Sequence, residues 1–217
     1  MQVSEFMTTR LVTISSDAPV ARAARLIYAH KVRRLPVVDD GKLVGIIGDR
    51  MVAASLPSAV TLLSHGEISD TLSKLTVKKI MHRDVITVTP DTTAETALAL
   101  AQECKIGALI VVNKENEPVG MVSTNDFVYR ILNPMLGLGK PGVRLHIYDC
   151  GEAGQVSQVA GLIEQHGLKL QVIHVDDSTI SEKRDLIVQV LTKDPTALID
   201  DIKQNGFSVE VRKRKTQ

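Results

Sequence analysis

Two stretches of the chain repeat one pattern of apolar and polar positions. Residues 7–17 align without a gap on residues 81–91, at an offset of 74. The same offset carries the apolar run 35–38 onto 109–112, and a single inserted residue brings the following Gly-apolar-apolar triplets into register. A match sustained over this length predicts an internal duplication, so both copies are expected to share one fold.

Each copy is predicted to fold as roughly β-α-β-β-α. A short strand comes first, at residues 12–14 and 86–88, and an Ala- and Leu-rich helix that begins near an Asp follows it. Two apolar strands come next, joined by turns at 40–41 and at 116–117, and a second helix closes the copy. Between the copies, residues 53–80 carry leucines among polar residues, which fits a helix and linker packed on the pair.

The last third of the chain follows a different pattern. Residues 133–142 hold three Gly and two Pro, a composition typical of a domain boundary. Beyond them the strand and helix patterns alternate in the order β-α-β-β-α-β, the split ferredoxin-like arrangement. The predicted fold class is therefore mixed, α/β with α+β character. The predicted domains are 1–60, a linker helix at 61–80, 81–134, a linker at 135–142 and a last domain at 143–212.

Composition and charge narrow the function. The 217 residues carry a net charge of +1 and no Trp, which argues against a nucleic-acid binder with a broad basic face or an aromatic stacking platform. No apolar window approaches the length of a membrane span, and Cys104 and Cys150 have no neighbour at metal-ligand spacing. We therefore expect a cytoplasmic protein without a metal, membrane or nucleic-acid partner. No Ser/His/Asp, Cys/His or paired-carboxylate set stands out, so no enzymatic activity is expected.

Chemistry concentrates at Ser123, Thr124, Asn125 and Asp126, where an apolar strand runs into a helix. A hydroxyl at such a junction can bond a phosphate beside the free N–H groups of the helix, and a carboxylate three residues later can accept from both hydroxyls of a ribose. The alternative is an N-cap, in which Ser123 accepts from the N–H of Asp126 in a capping box. The residues alone leave both interpretations open.

The duplicated units, with the Gly-apolar-apolar-x-x-x-Asp frame at 120–126, resemble a pair of CBS domains, and the last domain resembles an ACT domain. This order of units, with Ala-Ser-Leu-Pro-Ser at 54–58 and Pro-Gly-Val-Arg at 141–144, is similar to the acetoin-utilisation protein B family. The resemblance implies a regulatory module that binds an adenosine-containing ligand in a composite cleft between the two copies.

In that cleft the resemblance assigns the ribose to Asp126 and the phosphate to Ser123, with Thr124 and Asn125 in the same frame. It also places a basic residue on the phosphates just ahead of the Leu-Pro pair at 35–36, and guanidinium groups suit this task by charge and fork geometry. The alternative there is a solvated pair on a strand edge. The remaining candidates are Arg33 and Arg34 on the phosphates, Arg50 as a further cation, and Met7, Val12 and Val32 against the adenine.

The mirror-related cleft departs from the family pattern. Gly48 and Met51 stand where the hydroxyl and the ribose carboxylate belong, and Gly107 and Ala108 replace the arginine pair. The second cleft is therefore expected to be empty or to prefer a less polar ligand. Binding is expected to saturate near one adenine nucleotide per chain.

The favoured function is a non-enzymatic, energy-sensing regulator that binds AMP, ADP, ATP or a related adenine nucleotide, has no cofactor and acts on an unidentified protein. The chain is expected to form a homodimer, because the two domain types that it resembles associate with a second copy. Two alternatives stay open. One is a dimeric scaffold with a vestigial cleft. The other is an amino-acid sensor acting through the ACT domain, although residues 149–154 lack its usual Asp-x-Pro-Gly turn.

Overall fold

Each copy of the repeat is built around an antiparallel hairpin in the structure, a computed structural model that describes residues 1–55, 75–178 and 181–212. The chain divides into two compact units, Met1–Val128 and Tyr129–Gln217, and both hairpins lie in the first. Most of the linker helix predicted at 61–80 lies outside the described residues. Its last part contains a short 3-10 helix at Val77–Lys79.

The described elements up to residue 135 are short. None of the helices in the described ranges is long and apolar enough to cross a bilayer. The elements are a 3-10 helix (Val3–Glu5), α1 (Val20–His30), β1 (Arg34–Asp39), β2 (Lys42–Gly48), α2 (Asp49–Ser55), β3 (Thr87–Val88), α3 (Ala94–Glu103), β4 (Ala108–Val112), β5 (Pro118–Ser123), α4 (Thr124–Asp126), a π-helix (Phe127–Leu132) and α5 (Asn133–Met135).

Local turn chemistry sets the two hairpins. β1 pairs with β2 through Asp40 and Gly41, whose φ angles are 49° and 79°, and β4 pairs with β5 past Asn116 at φ 63°. Asp, Asn and Gly tolerate this left-handed backbone better than other residues do. The predicted hairpins are thus present in both copies.

The first strand of each copy is shorter than predicted. β3 pairs in parallel with β4 over two residues, whereas the first copy has a bridge between Ile14 and Val37. The chain leaves the strand direction directly after Ile14, because the Asp39 carboxylate accepts from the Ser15 hydroxyl and the Ser16 N–H, each at 3.0 Å. The strand predicted in the first copy is therefore an isolated β-bridge.

In each copy, the residues ahead of the first strand pack on the other copy. Thr8 exchanges two backbone hydrogen bonds with Met121, at 2.9 and 3.0 Å, and His82 exchanges two with Ile46, at 2.8 and 3.0 Å. Because the two connections are equivalent under the repeat, each copy completes the sheet edge of its neighbour. This exchange explains why the two copies fold as one unit.

Glycine at the start of each Gly-apolar-apolar triplet leaves room for the crossing segment. A Cβ at Gly120 would lie 2.5 Å from the Sδ of Met7, and a Cβ at Gly45 would lie 2.7 Å from the Sδ of Met81. Neither glycine has a positive φ, so the close approach of a side chain requires glycine here, and backbone conformation does not.

The second unit is an antiparallel four-stranded sheet with two helices. Its strands lie in the order β7-β8-β6-β9, and both helices contribute to one apolar core on one face of the sheet. The elements are β6 (Val143–Tyr148), α6 (Ala153–Gln165), β7 (Lys169–Asp177), β8 (Arg184–Leu191), α7 (Thr196–Gln204) and β9 (Ser208–Arg212).

The Gly- and Pro-rich segment predicted as a linker at 135–142 is packed against the sheet of the second unit. The Gln189 side-chain amide donates to the backbone oxygens of Lys140 and Pro141, at 3.0 and 3.1 Å. Gly142 has a φ of 113°, and a side chain there would collide with the backbone of Val190. Small residues therefore let this segment lie against the sheet, so it belongs to the second unit.

Candidate functional site

A cavity of about 670 Å³ in the first unit is lined by both copies of the repeat, a size typical of small-molecule sites. Seven of the ten residues predicted to bind the ligand are in its lining, namely Val32, Arg33, Arg34, Arg50, Ser123, Thr124 and Asn125. The lining also includes Lys31, Asp49, Gly107, Ala108 and Met121. Sequence reasoning therefore located this cavity through residues that lie up to 93 positions apart, from Val32 to Asn125.

The two predicted clefts open into this one cavity. Gly107 and Ala108, expected in the mirror-related cleft, lie in the same lining as the arginines to which they correspond under the repeat. The same holds for Asp49 and Arg50, whose counterparts are Thr124 and Asn125. The cavity is therefore lined by corresponding residues of both copies. The first copy supplies the guanidinium groups, and the second supplies the hydroxyls.

Ser123 and Asp126 form a capping box at the end of β5. The Asp126 Oδ2 accepts from the Ser123 Oγ at 2.6 Å and from the Ser123 N–H at 2.8 Å, and the Asp126 N–H donates to Ser123 Oγ at 3.4 Å. Asp126 is not among the cavity-lining residues. The capping alternative is therefore realised in this structure, and the contact of Asp126 with a ribose stays a prediction.

Capping changes what Ser123 offers a ligand. Its hydroxyl proton is engaged by Asp126, so this hydroxyl donates to a phosphate only if the bond to Asp126 breaks. Donors in the lining are then supplied mainly by the Lys31 ammonium group, by the Arg33, Arg34 and Arg50 guanidinium groups and by the Asn125 amide. Any phosphate affinity of the cavity must rest mainly on these groups.

The electrostatics of the cavity favour an anion. Its lining holds the cations Lys31, Arg33, Arg34 and Arg50 and one carboxylate, Asp49. In the described part of the chain, the three guanidinium groups have neither an ion-pair nor a hydrogen-bond partner. Clustered positive charge in a concave surface raises the local concentration of anions and strengthens their binding.

The predicted adenine wall is only partly in the lining. Val32 lines the cavity, but Val12 packs against the apolar core of the first copy and the Met7 side chain lies over Gly120. The placement of Met7 follows from the exchange of segments between the copies, which the repeat pattern does not reveal. Met121 contributes apolar lining instead, although the sequence analysis did not propose it as a ligand residue. Its position directly after the glycine of the Gly-apolar-apolar triplet is the sequence feature that could have indicated it.

Lys31 is the other lining residue that sequence reasoning missed. It ends α1 in the left-handed conformation, with φ 52°, and its exposed side chain lies at the cavity. A lysine one position past the end of a helix and one before a predicted ligand residue was a usable signal. Lys105 adopts the same backbone conformation in the second copy, with φ 53°.

A separate polar cluster lies on the sheet of the second unit. The buried His146 and Asp185 side chains form a hydrogen bond of 2.8 Å, and an Arg212 nitrogen lies 2.5 Å from the other ring nitrogen of His146. Burial alone would raise the pKa of Asp185, but hydrogen bonds from the Asp149 N–H, His146 and Ser178 hold that pKa below its ordinary value. The histidines had no acid partner at short spacing, so sequence reasoning missed this pair.

The cluster borders a small cavity of about 150 Å³. Among the described residues, no group of three or more His, Cys, Asp or Glu side chains is arranged to hold a metal ion. Hydrogen bonds with His146 and from the Asp149 N–H instead satisfy the buried Asp185 carboxylate, which indicates a structural role for this network.

A sequence profile of the CBS domain matches residues 3–58 and 77–133. An inosine-5′-monophosphate dehydrogenase from Korarchaeum cryptofilum is 32% identical over 133 residues, which cover 61% of this chain and 25% of the enzyme. The chain therefore spans about a quarter of the length of that relative.

Solved structures with the same fold include two with similar sequences. A Vibrio cholerae protein assigned to acetoin utilization (AcuB) is 29% identical with a TM-score of 0.52, and the match covers 64% of this chain and 96% of that one. The protein CBSX2 of Arabidopsis thaliana, solved in complex with AMP, is 29% identical with a TM-score of 0.50; the match covers 61% of this chain and 96% of that one.

Proposed function

Because this chain belongs to the CBS domain family, we propose that it is a non-enzymatic regulatory protein that senses an adenosine-containing ligand of the AMP, ADP or ATP type. The ligand binds in the cavity between the two copies of the repeat. The complex of the similar protein CBSX2 with AMP supports this ligand class.

One observation carries the proposal. The Arg33, Arg34 and Arg50 guanidinium groups line a cavity of about 670 Å³ without a partner in the described residues, and Ser123 and Thr124 share its lining. Three clustered guanidinium groups with one carboxylate among them favour an anionic ligand, because positive charge collected in a concave surface attracts anions and guanidinium groups bond phosphate well. Val32 and Met121 supply apolar surface for a base.

For the second unit we propose a ferredoxin-like, ACT-type domain. Its β-α-β-β-α-β order and its sheet order β7-β8-β6-β9 support this assignment. Ligand binding then acts on an unidentified regulated protein. The effect on that protein is limited to the difference in ligand affinity between the two states of the sensor.

A dimeric scaffold with a vestigial cleft is the second candidate. The capping bonds between Ser123 and Asp126 favour it, because they occupy the groups that a ribose and a phosphate would use. In this case the cavity would bind adenine nucleotides weakly or not at all.

A thermal-shift panel of adenosine, AMP, ADP, ATP and amino acids separates the candidates. Ligand at 100 times its Kd stabilises the folded state by about 2.7 kcal/mol, which gives a readily measured rise in Tm. We expect the adenine nucleotides to raise Tm, and Arg34→Ala to reduce the rise. The matched control Arg22→Ala removes an exposed arginine of α1 outside the cavity and should leave the rise intact. The absence of a Tm shift with every nucleotide would support the scaffold. A Tm shift with amino acids alone would support an amino-acid sensor and overturn the adenosine proposal.

A further inference from the structure

We infer that Gly107 is a positioning residue: it makes room for the Arg34 guanidinium to cross from the first copy to the part of the cavity lined by the second. This inference rests on the proposed function and assigns the phosphate subsite within it. It also gives a role to Gly107, which in the sequence is only the loss of an arginine from the second copy.

The Arg34 guanidinium lies in the space that a side chain at position 107 would occupy. A Cβ added to Gly107 would lie 3.2 Å from one terminal nitrogen of Arg34, 3.7 Å from the other and 3.7 Å from the Oγ1 of Thr124. The φ of Gly107 is not in the left-handed region, so the backbone would accept an L residue. Space for Arg34 is therefore what the glycine provides.

A second glycine lies beside the stem of the same arginine. Arg34 opens β1 directly opposite Gly48 on β2, and a Cβ at Gly48 would lie 3.8 Å from the Arg34 Cγ, an ordinary packing distance. Gly48 corresponds to Ser123 under the repeat, and Gly107 corresponds to Arg33. Of these two positions in the mirror-related site, Gly107 is therefore the one at which a side chain would crowd Arg34.

This placement sets the chemistry of the ligand. The guanidinium and the Thr124 hydroxyl both lie within 4 Å of the place a Cβ would take at position 107, and that hydroxyl donates to the Gly107 carbonyl at 3.4 Å, so Arg34 is the phosphate donor at this point. A planar fork of N–H donors recognises phosphate by two parallel hydrogen bonds. The site should therefore discriminate strongly in favour of adenosine compounds that carry phosphate, and one crossing arginine provides one such subsite per chain.

Arg33 is distinguished from Arg34 by the same geometry. The Arg33 side chain is exposed, whereas that of Arg34 is half-buried and reaches the second copy. The backbone oxygen of Arg33 accepts from the Asp49 N–H at 3.0 Å, which fixes the start of β1 but not the Arg33 guanidinium. Arg34 is thus the arginine that carries most of the phosphate selectivity.

A double-mutant cycle tests the inference by titration calorimetry with AMP and adenosine. We expect Arg34→Ala and Gly107→Val each to weaken AMP binding by roughly 10- to 150-fold, the range for hydrogen bonds to a charged group, and to change adenosine binding less than about twofold. Gly107→Ala, which displaces the guanidinium by only a few tenths of an ångström, should have a smaller effect. Gly107→Val should cost nothing further in the Arg34→Ala background, because residues that act through one group are not additive.

Equal losses for AMP and adenosine, or additive losses in the double variant, would overturn the role of Gly107. Inorganic pyrophosphate separates this failure from a failure of the proposed function. If the wild-type protein binds pyrophosphate and Gly107→Val abolishes that binding while no adenine nucleotide binds, the phosphate subsite stands and the adenosine assignment falls. If neither pyrophosphate nor nucleotide binds, both are wrong. Thermal unfolding of each variant shows that the measured losses come from folded protein.

Discussion

Replacing Asp126 with alanine separates a capping role from a ribose-binding role. In the structure one carboxylate oxygen accepts two hydrogen bonds from Ser123, at 2.6 and 2.8 Å. Losing a capping interaction costs about 1 kcal/mol of folding free energy. If the carboxylate also binds a ribose, the variant should lose a further ~1.5 to 3 kcal/mol of ligand binding, the range for hydrogen bonds to a charged group.

The two contributions are measured by different assays. Denaturant unfolding reports the capping loss, and calorimetry on the folded variant reports the change in Kd, which we expect to be about 10- to 150-fold for AMP. The sharper comparison uses 2′-deoxy-AMP, which lacks one of the two hydroxyls. Wild-type protein should prefer AMP, and Asp126→Ala should abolish that preference.

Ser123→Ala is the matched control, because it removes the two capping bonds of the Ser123 hydroxyl but keeps the carboxylate. It should destabilise the fold by a comparable amount and retain the preference for AMP over 2′-deoxy-AMP. A destabilised Asp126→Ala variant that still discriminates the two ligands would refute the ribose assignment and leave Asp126 as a cap alone.

Gly120→Ala should destabilise the first unit by about 1 to 3 kcal/mol in denaturant unfolding, because the added methyl would overlap the Met7 Sδ. The control Gly161→Ala in α6 places a methyl where no atom lies within 4 Å, so it should be neutral or stabilising. An unchanged Gly120→Ala variant would contradict the close packing of the exchanged segment. The Cys104 thiol is exposed, while burial raises the pKa of Cys150 to about 11, so a thiol reagent at pH 8 should label one cysteine in native protein and both after denaturation. Rapid labelling of both in native protein would show that the second unit opens readily. Sedimentation at low micromolar concentration should show a two-fold dimer, and a persistent monomer would argue against both the scaffold and the dimeric sensor.

Much of the candidate site followed from local and periodic features of the chain. The repeat offset located the second copy, the residue types at 40–41 and 116 determined the hairpin turns, and the Ser-x-x-Asp frame located the capping box at the end of β5. These features act over a few residues or recur at a constant interval. They are therefore readable without knowing which distant segments meet.

The adenine wall was harder to predict for the opposite reason. Met7 lies over Gly120 because its segment crosses to the second copy, whereas Val12 packs against the core of its own copy. A segment that crosses to the other copy and a segment that packs on its own copy have the same apolar pattern in the sequence. The hydrogen bonds between Thr8 and Met121 distinguish them, and these bonds exist only in the folded unit.

The sequence by itself determined the repeat, the turn chemistry and the residue types that favour an anionic ligand, because each depends on local backbone preference or on side-chain charge. Only the tertiary structure decided that Gly107 makes room for Arg34, and that His146 meets Asp185 across 39 positions. A glycine in a sequence shows that a side chain is missing, but not which neighbour occupies the space. That neighbour is set by strand register and close packing between distant segments, which a one-dimensional pattern does not record.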